Sequence, residues 1–297
     1  MNRFSFSTFV MNRPAEQPDW TPPRTGLART NHDSCIVGCG IGLHYRKALR
    51  STVNHCEVYC PEAWKLWYDD YPIGCPTHRD NPYAFKIFAL QRVIDAGFRY
   101  VLWMDTSFQP IGSIEPLWKH IEEHGWFAAK QGDSMLGEWI SDHALGLCSG
   151  ARDELMNVPL VYTGIVGLDL GNAVTRRLIW EPWKEAMQLG VFRGAHFNAP
   201  IGEQWEAGHK WHGWCSEDSR CKGHRHDEAA LSYILHAGGY KVEASPFLTL
   251  ENEKGFIGHM VPDYDVVKLR EATLNLASWV DGDFGYKNQE SVRDLCL

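Results

Sequence analysis

The apolar positions of the chain fall into alternating strand-like and helix-like stretches. Ser34-Cys35-Ile36-Val37-Gly38-Cys39 is a short, almost continuously apolar run that predicts a first strand. Gly40 and Gly42 follow, then a helical stretch around Tyr45 to Thr52, and Cys56-Glu57-Val58-Tyr59 reads as a second short strand. Tyr83 to Ala96 sets Phe85, Phe88, Ala89, Val93 and Ala96 on one helical stripe, with Gly97 placed to stop it. Tyr100-Val101-Leu102-Trp103-Met104 is apolar without a break, the pattern of a strand covered on both faces. It ends abruptly in Asp105-Thr106-Ser107. Farther along, the pattern predicts a helix over Ile114 to Glu123 and a strand over Trp126 to Ala129. Strand-like runs within Val158 to Leu170 are broken by Gly164 and Gly167, and Ala173 to Leu189 reads as a helix that Pro182 must start, kink or split. A helix over Asp227 to Ala237 is stopped by Gly238-Gly239, and Lys241 to Ala244 reads as a strand. Strands alternating with helices predict an α/β fold, a mostly parallel sheet flanked by helices.

At 297 residues the chain is compatible with one domain plus a tail or with two smaller domains. Pro14, Pro18, Pro22 and Pro23 among polar residues mark 1–33 as an extended leader. The domain is expected over 34–261, with a long loop at 190–226 rich in Gly, His and Trp. Residues 262–297 are expected as a tail packing on that domain, with one helix over Val266 to Ala277. The formal charge of -8 and pI near 5.9 leave no electrostatic footprint for a nucleic-acid backbone. Nine cysteines, an odd number without a compact spacing, suit a reducing compartment rather than a disulfide scaffold. Met1 to Val10 alternates Phe with Ser and Thr and lacks a signal-peptide core. No run approaches the ~20 apolar residues that span a bilayer. The expectation is a soluble, cytoplasmic protein.

The chemistry concentrates where the buried strand stops. Ligands of open α/β sheets bind at the carboxyl ends of strands. Asp105 there offers a hard oxygen ligand of the kind that can hold Mn²⁺ or Mg²⁺ against a diphosphate, where the cation would neutralise a leaving nucleoside diphosphate. The plain alternative is that Asp105 starts a turn, its side chain bonded to nearby amides.

The block Pro82-Tyr83-Ala84-Phe85-Lys86, then Ala89-Leu90, then Tyr100 through Ser107, resembles the central part of GT-A glycosyltransferases, where a helix leads into a hydrophobic strand ending in Asp-x-Asp. Tyr162-Thr163-Gly164-Ile165-Val166-Gly167-Leu168-Asp169 resembles that family's small-residue strand beside the sugar, and Arg225-His226-Asp227-Glu228-Ala229-Ala230-Leu231 its acidic helix start. Gly258-His259 is similar to the late histidine that completes the metal site in several members, and the matches run in order over residues 34–260. The resemblance implies a GT-A-like, Rossmann-like single domain that moves a sugar from a nucleotide-diphosphate sugar, by default a uridine diphosphate sugar, onto an unknown acceptor. It assigns Mn²⁺ or Mg²⁺ to Asp105, Ser107 and His259. Cys39, Gly40 and Tyr45 in the first loop, with Lys86, Asp105, Thr106 and Gly164, would hold the donor. Asp227 would serve as general base or would orient the sugar, with Glu228 in reserve. The sequence departs from the motif at Ser107, where a hydroxyl replaces the second carboxylate and is a poorer ligand for a hard cation. For Lys86 the plain alternative is a solvated helix-face lysine. For Asp227 it is a helix cap.

Three other readings compete. A nucleotidyltransferase shares the architecture, but Gly38 to Leu43 lacks the basic residue such a loop would carry. A catalytically degenerate sugar-binding module would tolerate Ser107. Zinc chemistry on His209, His212, Cys215, Cys221, His224 and His226 has the ligand types but no finger spacing. Trp205, Trp211 and Trp214 are candidates for a sugar-stacking surface in that loop, whereas Trp180 and Trp183 are expected in the core.

Overall fold

The computed structural model describes residues 33–78, 80–194, 215–243, 245, 247–249 and 257–259, with 43, 44, 248, 249 and 257–259 as backbone alone. The leader, the tail with its expected helix, and most of the long loop, including His209, His212, Trp205, Trp211 and Trp214, lie outside the described residues.

The first strand, β1 (Ser34–Cys39), is buried at every position, which is why its sequence has no polar alternation. Helix α1 (Leu43–Tyr59) returns the chain to β2 (Trp64–Tyr68), which pairs parallel to β1 along an edge. Helix α2 (Ala84–Asp95) then leads into β3 (Tyr100–Met104), which lies parallel to β1 on its other side. A short β4 (Phe108–Pro110), helix α3 (Glu115–His124) and β5 (Trp126–Met135) follow. Two short helices, α4 (Asp142–Cys148) and α5 (Arg152–Leu155), precede β6 (Pro159–Asp169). The chain continues through α6 (Ala173–Thr175), a π-helical segment at Arg176–Trp180, α7 (Glu181–Leu189) and α8 (His226–Ala237). The short strands β7 (Leu248–Thr249) and β8 (Ile257–His259) complete the described elements.

The main sheet has the order β2-β1-β3-β6-β5. It is mixed: β2, β1 and β3 run parallel, while β6 joins β3 and β5 joins β6 antiparallel. Alternation along the central strands sorts side chains to two cores, as a sheet covered on both faces requires. Cys35, Val37, Val101 and Trp103 enter one core with Ile87, Leu90 and Val93 of α2, Trp183 of α7 and Leu231 of α8. Ile36, Tyr100, Leu102 and Met104 enter the other with Cys56 of α1 and Leu117 and Ile121 of α3. The phase of β3 therefore carries Trp103 and the next odd-numbered residue, Asp105, to the α2 and α8 side.

Several local expectations are corrected. Cys56 to Tyr59 is the last turn of α1, not a strand. Ala48, Thr52, Cys56 and Cys60 are buried at four-residue spacing, a helical stripe that outweighs the short β-like run. The second strand is instead Trp64–Tyr68, whose edge position leaves it half-buried and mixed in polarity. Gly164 and Gly167 do not break β6, which is one strand from Pro159 to Asp169. The bare glycines let neighbours lie directly on the strand: Ile121 covers Gly167, and Phe108 and Tyr162 crowd Gly164. The stretch from Ala173 to Leu189 is split by the π-helical segment, with Pro182 in the first turn of α7, where its missing N–H costs nothing. Residues 241–243 form no strand, although Lys130 N donates to Glu243 O at 3.3 Å; Ala244 is outside the described residues. Trp180 and Trp183 are fully buried, as expected. No helix among the described residues is long and apolar enough to cross a membrane.

Candidate active site

Because β1 and β3 are parallel, Cys39-Gly40 and Met104-Asp105 emerge at the same end of the sheet. The antiparallel β6 brings its first half to that end, where Asp105 N donates to Gly164 O at 2.7 Å. Helix α8 presents Asp227 from its first turn, and α2 presents Lys86 from its first turn.

Lys86 is the centre of the assembly and is 1% exposed. Its Nζ lies 2.9 Å from Asp227 Oδ2 and 3.4 Å from Asp105 Oδ2, and donates to Thr163 O at 3.0 Å and Thr163 Oγ1 at 3.2 Å. The Tyr83 and Trp103 rings stand 5.1 and 5.7 Å from the ammonium, within cation–π range. Burial works against the ammonium, but Asp105 and Asp227 outweigh it and raise the Lys86 pKa. Lys86 is thus a permanent buried cation and not a solvated helix-face residue.

Asp105 receives Trp103 Nε1 on Oδ1 at 2.7 Å and faces Lys86 with Oδ2. A Trp two residues earlier reaches it because both side chains leave the same face of the strand. The turn that follows is closed by the backbone, Phe108 N to Asp105 O at 2.9 Å, so the carboxylate is left for side-chain partners. Its side chain keeps 29% exposure, yet desolvation among these groups raises its pKa, with Lys86 the main opposing influence. Asp227 is different: its side chain is 2% exposed, and Oδ2 also accepts from Thr163 Oγ1 at 2.7 Å. It does not cap α8, whose N-cap residue is Arg225. Glu228 beside it is pushed up to about 8, chiefly by burial.

The remaining expected residues are placed as follows. Gly40 lies so close to Tyr45 that a Cβ would sit 2.5 Å from its carbonyl oxygen, and Gly40 N donates to Tyr68 O at 2.8 Å. Tyr45 is 47% exposed and close enough to Asp105 for the carboxylate to add to the rise that desolvation gives its pKa. Cys39 is buried, its thiol donating to Asp70 O at 3.7 Å and its pKa pushed upward by desolvation. Thr106 is buried and its carbonyl accepts from Thr52 Oγ1 at 3.1 Å. Ser107 hydrogen-bonds the Tyr162 phenol. The His259 backbone pairs with Phe108, three residues past Asp105; its side chain is outside the described residues.

Gly164 is tightly packed. A Cβ there would lie 2.4 Å from both Phe108 Cε2 and Tyr162 Cε1. Gly164→Ala is expected to destabilise the protein by about 1–3 kcal/mol, the usual cost of overpacking, measured as a lower urea midpoint at unchanged slope.

Trp103, Thr163, Tyr83 and Trp183 are not among the site residues expected from sequence. The alternation of β3 is the signal that pairs Trp103 with Asp105. Thr163 lies inside one of the motifs that carry the resemblance, but nothing in the sequence shows that its hydroxyl links Lys86 to Asp227. Trp183 Nε1 donates to Asp227 O at 3.2 Å. Tyr83 holds a left-handed backbone, φ 60°, at the head of α2, and its ring packs on His226 at 5.5 Å and on His78 at 4.7 Å. A non-glycine residue in that conformation costs of order 1–3 kcal/mol, and such residues concentrate at functional sites.

In the described part of the cysteine and histidine loop the cysteines are buried and His224 and His226 are hydrogen-bonded. Cys215 and Cys221 are buried together, and Cys221 Sγ donates to Gly223 O at 3.4 Å. His224 spends both ring nitrogens, on Val191 O at 2.8 Å and Ser141 N at 3.2 Å, and burial lowers its pKa to about 3. His226 Nδ1 pairs with Phe192 O at 2.7 Å. Among the described residues no group of three His, Cys, Asp or Glu is arranged to hold a metal.

No protein-family model matches the sequence, and no curated protein matches it. Solved structures do. Mouse xyloside xylosyltransferase 1 in its apo form superimposes with TM-score 0.42 at 10% identity, over 76% of this chain and 97% of that one. A glycosyltransferase involved in glycosylating the major capsid of PBCV-1 gives TM-score 0.40 at 11% identity, over 80% and 98%. The galactosyltransferase LgtC, in complex with donor and acceptor sugar analogs, gives TM-score 0.40 at 13% identity, over 76% and 86%.

Proposed function

We propose that this chain is a glycosyltransferase that moves a sugar from a nucleotide-diphosphate donor, by default a uridine diphosphate sugar, to a hydroxyl-bearing acceptor. The observation that carries the reading is the charged cluster of Lys86, Asp105 and Asp227 at the carboxyl end of the parallel strands, beside the Gly40 to Tyr45 loop. Two carboxylates face one ammonium there. A diphosphate entering such a site needs added positive charge, and a divalent cation supplies it.

The residues at hand suit that cation in part. Asp105 retains exposure and unused lone pairs, Ser107 follows two residues on, and strand pairing carries the His259 backbone opposite Phe108. Asp105, Ser107 and His259 would hold Mn²⁺ or Mg²⁺, which would polarise the diphosphate as a leaving group. Lys86 fixes Asp105 for that purpose. Gly40 permits the close turn under Tyr45, whose half-exposed ring offers a face to the nucleotide.

The test is thermal unfolding in the presence of UDP-sugars, with and without Mn²⁺. A ligand that binds only the native state stabilises it, by about 2.7 kcal/mol at 100 times its Kd. The expected result is a rise in Tm that needs both nucleotide sugar and metal, accompanied by release of UDP on turnover. No stabilisation by any nucleotide sugar would overturn the reading, and pyrophosphate release from a nucleoside triphosphate would replace it with nucleotidyl transfer.

A further inference from the structure

We propose that His120 and His124, at the end of α3, form a chelating site for a divalent transition metal that prefers nitrogen ligands, Zn²⁺ above all. The site is independent of the glycosyl-transfer reading: α3 packs Leu117 and Ile121 into the core on the opposite side of the sheet from α2 and α8. Residues four apart on a helix lie on one face, one turn above the other, and two histidines so spaced are a recurrent bidentate arrangement for zinc. Here the two imidazoles are already together, with ring centroids 4.4 Å apart and planes inclined at 48°. A tetrahedral metal holding two imidazoles at Zn–N bonds of about 2.1 Å sets their centroids roughly 5 Å apart, so the pair opens by less than about 1 Å to accept it.

The surroundings favour a cation. His120 is half-buried, and its ring is clamped edge to face by Phe127 at 5.8 Å and Phe247 at 5.4 Å. Packing of this kind fixes the ring before the metal arrives and so reduces the ordering cost of binding. His124 is exposed and gives the metal a path in from solvent. Main-chain groups engage the ring nitrogens of His55, His224 and His226, whereas neither ring of this pair is hydrogen-bonded to the described residues. Glu123 in the same turn adds its negative charge beside His120, and the carboxyl end of α3 adds the negative end of the helix dipole. Desolvation lowers the His120 pKa, and His124 lowers it further. The ring is therefore held in the neutral form that binds metal.

Two protein ligands leave the remaining positions of the metal to water, so the site is open, unlike a closed four-ligand structural centre. Metal preference follows from ligand type. Imidazole suits Zn²⁺, Ni²⁺ and Cu²⁺, whereas carboxylate and other oxygen ligands suit Mn²⁺ and Mg²⁺. The pair on α3 and the proposed Asp105 site therefore take different ions. A metal on the pair also holds the last turn of α3 against Phe127 and Phe247, through the ring of His120.

Titration calorimetry of the full, chelator-treated chain with ZnCl₂, in the absence of any nucleotide sugar, tests the site. Wild type is expected to show a Zn²⁺-binding event that excess Mn²⁺ does not suppress. His124→Ala removes an exposed side chain and leaves the packing of His120 in place. It should bind that Zn²⁺ at least about tenfold more weakly, the scale on which even an outer-shell change weakens a metal site. Asp105→Asn should bind it as wild type does. In NMR spectra of the histidine rings, substoichiometric Ni²⁺ should broaden the signals of His120 and His124, with His124→Ala identifying its own. Equal Zn²⁺ affinity in wild type and His124→Ala overturns the proposal, as does broadening that spares both rings.

Discussion

Lys86→Ala is expected to cost about 3–5 kcal/mol of folding stability, the usual penalty for removing one partner of a buried charge pair. The substitution deletes the ammonium that lies between Asp105 Oδ2 and Asp227 Oδ2, and leaves Thr163 O without its donor. Asp227, at 2% side-chain exposure, has no water to turn to. The loss should depend on pH with a definite sign. Asp105 already titrates above its ordinary value through desolvation, and Lys86 is the strongest influence holding it down. Without Lys86 its folded pKa rises further above the unfolded one. The contribution of such a group is fully present below its unfolded pKa and is lost as the pH rises through the folded pKa. Urea unfolding of the variant should therefore show a smaller deficit at pH 5 than at pH 8. Adding Asp227→Asn should recover part of the stability, because the second change removes a charge the first left unpaired. A deficit below 1 kcal/mol and flat with pH would mean that the cluster is not desolvated as described.

Asp105→Asn is expected to separate chemistry from folding. The amide oxygen keeps the bond from Trp103 Nε1, and Lys86 keeps Asp227 at 2.9 Å. The folded state loses a carboxylate whose raised pKa shows that it is held there at a cost. Stability should therefore change by less than about 1 kcal/mol, in either direction. Turnover should fall far more. A cation at a leaving diphosphate contributes several kcal/mol to the transition state, which corresponds to a hundredfold or more in rate, at about 1.36 kcal/mol per decade. Steady-state turnover of a UDP-sugar across a Mn²⁺ series measures it: the expected outcome is a lower kcat/KM that added Mn²⁺ does not restore. Equal activity in the variant would remove Asp105 from the chemistry.

The parts of this architecture legible in sequence are those where one physical requirement dominates. The run from Tyr100 to Met104 is apolar because both faces of β3 are covered, and at five residues it is too short to be a buried helix. The stripe of α2 and the acid at the tip of β3 follow from the same frame. Where two requirements met, sequence misled. Cys56 to Tyr59 looks like a strand locally, but its helix is decided by residues up to eight positions earlier. The glycines of β6 suggest interruption when read alone, because the rings and the aliphatic chain they accommodate come from Phe108, Tyr162 and Ile121. In the site, a lone acid after a buried strand is a readable sign. The role of Lys86 is not, since exposed and buried lysines look alike in sequence, and its burial depends on Asp227 and Thr163 being delivered from far along the chain.

That delivery has a consequence for assembly. The ammonium ties together the head of α2, the end of β3, the middle of β6 and the start of α8. No short contiguous fragment contains this arrangement, so a chain still folding keeps each charge hydrated until the last of the four segments docks. The cost of drying those charges is therefore met only when all four segments are together.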